Sequence, residues 1–536
     1  MASGSTGDAD IQPHVHPVVR NALRISLSAK EYKTLHQLVA QRAPSFQSKL
    51  PSPSHYETIV RSKNKHNVAA FRTSVRVFLL SGASLKLVDL VARRIRGELS
   101  SSKKEPRVSL FRSPNFRLSL ALSLVLLLHR LLHRFFVRLR ANLRTEEAEP
   151  FRKRNPRISS ALTSRYAPAV GASLAGFALG ICPQKQLRMT AAIYTTTRSL
   201  EFLFNVVNEK GWIENRPWWF GSWLLMPLSC AQLFHAFVFD RETTPKWLGN
   251  VIMRLSPAYI HGRPETLPAN VPWPEKEAIV DSLATVAKLR WPAFISPILH
   301  PADPYTLPST VKTISPITGP AHPSISSLSC ALLHPGCPSC GTTFLHHLLL
   351  SVPPLARFIT TVTLALSALK LKSFVTQPIT SINNLSKRII ALTTILSASV
   401  GSAWGSICLW NSILPRSVLP TQRFFLSGAV AGVPFAFLSS SRNIFLYFFR
   451  AAVDSAWKSG VKRGLWKGWN GGDISVLVIT WALMGSILEA RPSAVQGKGV
   501  RKALAWMRGD GYVDPADAAA KRKHKKTAAQ KNEDES

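Results

Sequence analysis

The sequence predicts an all-α protein, a polytopic membrane helix bundle of six to eight spans with a basic soluble N-terminal arm. Long apolar blocks recur along the 536 residues, and Arg/Lys-rich, proline-rich connectors separate them. Lys and Arg number 67 against 29 Asp and Glu, and because these cations flank the apolar blocks, they indicate basic loops beside a membrane. The predicted partners are the lipid bilayer and its anionic head groups. No motif typical of nucleic-acid-binding modules appears, so nucleic acid is not a predicted partner.

Composition along the chain predicts five regions. Ser28 with Glu31 three positions later predicts a helix N-cap in the first of them. Residues 71–97, in the same region, fit either a helix at a membrane interface or a helix packed on its own domain. The regions are a soluble or membrane-peripheral region 1–115, a first membrane region 116–240, a proline-rich polar linker 241–341, a second membrane region 342–490 and a basic disordered tail 491–536.

Crossing the hydrocarbon core of a bilayer takes about 20 apolar residues. Residues 218–239 carry no formal charge and form the clearest predicted span, and 389–414 and 424–449 are two further clear ones. The block 118–128 is followed by histidines and arginines at 129–134, so it spans only if these snorkel or face other helices. The remaining apolar blocks are 167–182, 189–207, 342–371 and 474–488.

Two regions of the chain resemble each other and predict two related three-helix units. One begins G-A-S-L-A-G-F at Gly171 and the other G-A-V-A-G-V at Gly428. Each continues with an Arg in a turn, then an Arg before an acid, and then an apolar span, 218–239 or 474–488. The alternative is a chance likeness between helices rich in small residues.

Glycines four residues apart suggest close helix packing, because small residues let two helix backbones approach in lipid. These candidate packing pairs are Gly176 with Gly180, Gly401 with Gly405, and Gly428 with Gly432.

Two Arg–acid pairs, Arg198 with Glu201 and Arg450 with Asp454, have the spacing of one helical face. A charge at membrane depth costs several kcal/mol unless it is paired, so they are candidate intramembrane charge pairs. They either line a polar path or lock helices together, or the helices lie near the interface with solvated charges.

A series of distinctive motifs is spread over most of residues 117–511. They are R-S-L-E-F from Arg198, N-R-P-W-W-F-G-S-W-L-L-M-P-L from Asn215, H-A-F-V-F-D from His235, S-P-A-Y from Ser256, R-F-F-L-S-G-A-V-A-G-V-P-F-A-F-L from Arg423, R-A-A-V-D-S-A-W-K from Arg450 and E-A-R-P from Glu489. The sequence resembles, in these motifs, the transmembrane protein 135 family in its fungal form, which is distantly related to the mitochondrial inner-membrane translocase subunits.

This resemblance implies an organelle membrane, peroxisomal by preference and mitochondrial as the alternative, and a role in lipid metabolism or organelle dynamics. We therefore expect a non-enzymatic integral membrane protein that supports lipid handling, transport or organelle dynamics. The family brings no catalytic residues, and no cofactor is predicted. Association with further copies of the chain or with other membrane proteins stays open.

The alternative function is a membrane-bound glycerolipid acyltransferase. His235 and Asp240 match the H-x-x-x-x-D pattern, in which the His acts as base on a hydroxyl and the Asp orients it. His235, however, lies in the last turn of an apolar span, and Thr266 stands where the accompanying motif has glycine. A histidine packed within a helix bundle is the favoured interpretation.

His334, Cys337 and Cys340 follow one another at three-residue spacing, with Cys330 nearby. Four such donors can bind zinc tetrahedrally. There is no second C-x-x-C, so these residues are weak metal candidates. The favoured interpretation is a proline-rich turn entering the membrane, and no metal site is predicted.

Overall fold

The computed structural model describes residues 16–47, 50–62, 64–95, 109–213, 215, 217, 219–265, 267–268, 270–301, 307–368, 376–438 and 441–517. Within these ranges the regular structure is helical, and the β pairing consists of one isolated bridge between Ala293 and Ser327. The predicted all-α class is therefore confirmed. The chain divides into two compact units, unit 1 from Met1–Glu214 with Trp469–Ser536 and unit 2 from Asn215–Gly468.

The N-terminal part of unit 1 starts with helices whose caps are visible in the sequence. The Ser28 hydroxyl accepts the Glu31 backbone N–H while the Glu31 carboxylate accepts the Ser28 N–H, which confirms the predicted N-cap. In chain order these helices are α1 Pro17–Ser26, α2 Ala29–Arg42, α3 Pro44–Gln47, α4 Pro53–Val60, α5 Lys65–Ile95, α6 Pro114–Asn142, α7 Glu149–Arg154, α8 Pro156–Thr163, α9 Ala167–Ser173 and α10 Lys185–Glu209.

The helices of unit 2 follow. They are α11 Leu225–Phe239, α12 Lys246–Arg254, α13 Lys276–Lys288, α14 Ser315–Thr318, α15 Leu328–Leu333, α16 Cys340–Ala368, α17 Pro378–Ile413, α18 Arg423–Gly432 and α19 Arg442–Lys462. The chain then returns to unit 1 with α20 Gly472–Ala490 and α21 Lys498–Arg508. Short 3-10 turns extend α9 over Leu174–Ile181 and α18 over Val433–Phe437.

Residues 241–341, expected to be a polar linker, instead supply much of the core of unit 2. Ile279, Leu283 and Leu332 are fully buried there, in one cluster with aromatic side chains of α11, α17 and α18. Two prolines of this segment mark helix starts: Pro245 is the N-cap residue of α12, and Pro316 lies in the first turn of α14.

Among the residues that the structure describes, five helices are long and apolar enough to cross a membrane, which indicates a multi-pass membrane protein. The prediction is six to eight spans, and the predicted blocks 167–182, 189–207 and 424–449 are not among these candidates. The block 424–449 is not one span, because a 3-10 turn with Pro434 follows α18 and a new helix begins at Arg442. The five, among the described residues, are Pro114–Asn142, Ser222–Phe239, Cys340–Ser367, Pro378–Ile413 and Gly472–Ala490.

Two of the basic side chains that follow the apolar block 118–128, Arg130 and His129 on α6, face another helix. This is the condition under which the block is expected to span the membrane. The Arg130 guanidinium donates to the Trp506 carbonyl at 2.7 Å and lies 5.0 Å from the centre of the Trp506 ring. The His129 ring also contacts the Met507 carbonyl at 3.3 Å. The C-terminal end of α21, a helix within the region 491–536 that was expected to be disordered, thus provides partners for these side chains.

The three-helix groups that form are not the consecutive ones predicted from the repeat. In unit 1, α20 packs against α10 and against α9 with its 3-10 extension; we call these helices the first triad. In unit 2, α11 packs against α19 and α18, and these with the 3-10 extension of α18 form the second triad. The third helix of each predicted repeat therefore completes the group started by the other repeat.

Candidate functional site

Each predicted glycine pair faces a neighbouring helix, but the distance to the atoms of that helix differs from pair to pair. A methyl group on Gly428 would lie 2.7 Å from the Cα of Ala231, and one on Gly432 would lie 2.6 Å from the Met226 carbonyl carbon. Both glycines therefore touch the backbone of α11. By contrast, a methyl group on Gly176 or Gly180 of the first triad would meet side-chain tips of α20, at 2.9 Å and 3.2 Å.

The third glycine pair faces the contact between α17 and α16. A methyl group on Gly401 would lie 2.7 Å from the His347 ring, and one on Gly405 would lie 3.3 Å from the Tyr259 hydroxyl. The His347 ring in turn contacts the Ser397 carbonyl at 3.3 Å. Small residues on α17 thus make room for polar side chains.

Arg198 and Glu201 form an ion pair, with Nη1 and Oε2 2.7 Å apart. The Glu201 side chain is only 2% exposed. One position along α10 from Arg198, the Ser199 hydroxyl donates to the Thr480 carbonyl of α20 at 3.0 Å. Burial lowers the pKa of Arg198, but hydrogen bonds to Tyr194 and Glu201 outweigh burial and raise that pKa. The pair is therefore a charged group held within the first triad.

The corresponding acid of the second triad pairs within its own helix. The Asp454 carboxylate accepts the Lys458 ammonium, one turn later on α19, at 2.7 Å. Arg450 lies one turn before Asp454 on the same helix. Asp454 is thus placed among cations of α19.

The structure adds ion pairs that sequence spacing alone does not reveal, because their partners are far apart in the chain. Arg188 at the start of α10 contacts Asp473 at the start of α20 at 2.7 Å, with both side chains largely buried. At the other end of the first triad, Glu209 contacts Arg491 at 3.8 Å. In the second triad, Asp240 contacts Arg463 at 2.6 Å. The motifs F-D-R and L-E-A-R, which end the two apolar spans, carry a member of the last two pairs.

His235 and Asp240 are close in sequence, yet each has other neighbours. His235 is buried with its ring 4.9 Å from the Phe239 ring. The two Asp240 carboxylate oxygens contact Arg463 at 2.6 Å and Lys462 at 3.4 Å. In the part of the chain that the structure describes, no hydrogen bond joins His235 to Asp240.

A cysteine–histidine cluster lies where α15, α16 and α17 meet. Its donor atoms, those of Cys330, His334, Cys340 and Cys408, all lie within 4.8 Å of one another. Two of the three weak candidates, His334 and Cys340, are therefore members. The thiol of the third, Cys337, instead contacts the Thr342 hydroxyl at 2.8 Å.

Cys408 could not be found from local spacing. It lies far along the chain in an apolar helix, where a thiol behaves as a small hydrophobic group. Only the packing of α15 and α16 against α17 brings it to His334. Sequence reasoning instead grouped His334 with Cys337, its nearer neighbour in the chain.

The turn before α16 is electrostatically polarised. Burial disfavours a charged His334, but hydrogen bonds to the Cys330 and Cys340 sulfurs outweigh burial and raise the pKa of His334 to about 10. Hydrogen bonds from the Thr342 side chain and the nearby backbone lower the pKa of Cys337. His334 is therefore hydrogen-bonded within a group of sulfurs.

Comparison of the chain with models of protein families, with curated proteins and with solved structures found no match in any of the three. The resemblance described from the motifs thus remains an expectation from sequence.

Proposed function

We propose that the chain is a multi-pass protein of an organelle membrane that supports lipid handling, transport or organelle dynamics without catalysing a reaction. The peroxisomal membrane is the favoured location, and a mitochondrial membrane is the alternative.

The observation that carries the proposal is the apolar surface of the five candidate spans. On α16, for example, Leu349 is 67% exposed, Phe358 61% and Leu366 60%. Large apolar patches of this kind are unfavourable in water, and lipid acyl chains solvate them instead. A helix of this length with such a surface is suited to a bilayer.

Charge and motifs support the finer part of the proposal. The net charge of +38 suits loops that contact anionic head groups of lipids. The organelle and the lipid role rest on the motifs shared with the transmembrane protein 135 family. The contacts of Asp240 support a role without catalysis. Its carboxylate pairs with Arg463 and Lys462, whereas an acyltransferase needs this carboxylate to orient His235.

Membrane integration and location test the proposal together. A tagged full-length chain should stay in the membrane pellet after alkaline carbonate, require detergent for extraction, and coincide with a peroxisomal marker in cells. Release by carbonate would overturn the integral membrane assignment. Residence only in a membrane outside peroxisomes and mitochondria would overturn the organelle assignment.

Substitution of His235 separates this proposal from acyl transfer. His235→Gln keeps a polar side chain in α11 but removes the base, so the cellular lipid profile should stay as in wild type. A second variant, Asp240→Asn, tests the other residue of the H-x-x-x-x-D pattern. The steady-state protein level of both variants serves as the control for folding. A changed lipid profile at normal protein level in both variants would favour the acyltransferase.

A further inference from the structure

The cysteine–histidine cluster joins three parts of unit 2 that are distant in sequence. Cys330 lies on α15, His334 directly follows that helix, and Cys340 is the first residue of α16. Cys408 comes from α17, five residues before the last residue of that helix, Ile413. The four side chains therefore converge where one candidate span begins and the next one ends.

Three of the separations between the donor atoms match the edges of a tetrahedral metal site. The sulfurs of Cys330 and Cys408 are 3.6 Å apart, and the His334 Nε2 lies 3.4 Å from the Cys340 sulfur and 3.5 Å from the Cys408 sulfur. Zinc bonds of about 2.3 Å to sulfur and about 2.0–2.1 Å to nitrogen imply tetrahedral edges of about 3.8 Å between sulfurs and about 3.6 Å from nitrogen to sulfur. The observed distances agree with these edges to within about 0.2 Å.

The histidine is oriented as a metal ligand would be. Its Nδ1 lies 2.7 Å from the Cys337 backbone carbonyl, which can only accept a hydrogen bond, so Nδ1 carries a proton and donates. The other ring nitrogen, Nε2, is directed at the sulfurs. A histidine ligand of a metal commonly donates its second nitrogen to a carbonyl in this way, which fixes the ring and the tautomer.

We propose that Cys330, His334, Cys340 and Cys408 bind one zinc ion as a closed structural site. Three thiolates and one imidazole match the preference of this borderline-soft cation, and four protein ligands leave no position for a substrate. The ion ties α15 and the start of α16 to the last turns of α17. It thereby fixes one end of a pair of candidate membrane spans to the buried core of residues 241–341.

The first test is the metal content of the full-length chain purified in detergent without chelators. Elemental analysis should find one zinc ion per chain in the wild type and in Cys337→Ser, whose thiol contacts Thr342 outside the cluster. Cys408→Ser and His334→Ala should both lose it. Equal loss in Cys337→Ser, another metal in place of zinc, or a wild type without metal would each overturn the proposal.

A second measurement needs no variant and so does not depend on whether a variant folds. Native wild-type chain should expose Cys337 to an alkylating reagent while Cys330, Cys340 and Cys408 stay protected. Adding a zinc chelator should expose these three and lower the melting temperature. Free alkylation before the chelator, or a Cys330–Cys408 disulfide found by mass spectrometry under non-reducing conditions, would overturn the assignment.

Discussion

The first and second triads have the same helix composition but are held together differently. In each, a short small-residue helix with a 3-10 extension and a longer helix pack against an apolar helix from the other half of the sequence. In the second triad, Gly428 and Gly432 touch the backbone of α11. In the first, Gly176 and Gly180 touch only side chains of α20. The same glycine spacing therefore accompanies different distances between helix backbones in the two triads.

The ion pairs at the ends of the two triads differ in which helix carries the acid and in how deeply the side chains are buried. Glu209 of the long helix α10 meets Arg491 just after α20, whereas Arg463 just after α19 meets Asp240 just after α11. Each triad therefore has an ion pair at the same end. The acid lies on the long helix in the first triad and directly after the apolar helix in the second. The first of these pairs is 34–41% exposed at 3.8 Å, but Asp240 is only 6% exposed. The second pair should consequently contribute more to stability.

The largest expected effect comes from adding methyl groups to the glycines. Gly428→Ala with Gly432→Ala should lower the free energy of unfolding by about 4–6 kcal/mol, because each methyl overlaps backbone atoms and overpacking costs up to about 3 kcal/mol per site or more. Gly176→Ala with Gly180→Ala should lower it by about 2 kcal/mol or less, because side chains can shift. Thermal unfolding in detergent, with steady-state level, measures both.

Two further glycines serve as controls for these double variants. A methyl group on Gly468 of unit 2 or Gly499 of unit 1 would meet no packed neighbour within 4 Å, so Gly→Ala there should not destabilise the protein. Equal losses in the two triads would contradict the proposed difference in backbone contact. Wild-type stability of the Gly428 and Gly432 variant would show that these glycines do not touch α11.

The next largest effect concerns the Arg198–Glu201 pair. Arg198→Ala should cost about 3 kcal/mol, because it leaves the buried Glu201 carboxylate without this cation, and breaking a buried pair is strongly destabilising. Arg198→Ala combined with Glu201→Ala should recover much of that loss. A double-mutant cycle on thermal stability gives the coupling energy.

The cellular phenotype of the double variant decides what the pair does. Strong coupling with a normal phenotype would mark a lock between helices, and strong coupling with a lost phenotype would mark a polar site for transport or a partner. Additive effects near zero would mean that water solvates the charges. The matched cycle of Asp454→Ala with Lys458→Ala, whose side chains are 22% and 33% exposed, should give weaker coupling.

A smaller effect should distinguish the two end pairs. Asp240→Asn should lower the free energy of unfolding by about 1.5–3 kcal/mol, the range for a hydrogen bond to a charged group. Glu209→Gln should cost less than about 1 kcal/mol, because its pair is long and exposed. A salt titration of melting temperature supports the assignment if salt weakens the first triad more than the second. Equal costs for the two substitutions would remove the distinction.

The smallest expected effect concerns another exposed ion pair of unit 1, Arg76 with Glu31, which should also contribute little to stability. The hydrogen bond from Arg76 holds the pKa of Glu31 at about 2, and the two side chains are 40–42% exposed. Since the folded-state pKa lies below the unfolded one, the contribution is complete above about pH 4.5 and is lost as pH falls through about 2. Limited proteolysis of the N-terminal helices should rise slightly over this range, and Glu31→Gln should abolish the rise. A sharp increase that persists in Glu31→Gln would assign it to another group.

The sequence predicts what is local in this fold. Apolar runs identify most of the spans, and residues three positions apart, such as Ser28 with Glu31 and Arg198 with Glu201, meet as helical geometry requires. Pairing across long stretches of chain is a different matter, because periodicity does not say which helix a face meets. The exchange of α11 and α20, the Arg188–Asp473 pair and the position of Cys408 are all of this kind. The contribution of the proline-rich segment 241–341 to the core is not predictable from the sequence for another reason: its apolar residues are divided among short helices and form no long block.

The exchange of α11 and α20 has a consequence for synthesis. Roughly 260 residues separate the end of α10 from the start of α20, the helix against which α9 and α10 pack. At about 5–20 residues per second, the ribosome takes tens of seconds to supply that partner. Throughout this interval the first triad lacks α20, and Asp473, the ion-pair partner of Arg188, has not yet been synthesised. The second triad, by contrast, already has α11 in place when α18 and α19 emerge, so it can close while the chain is still being made.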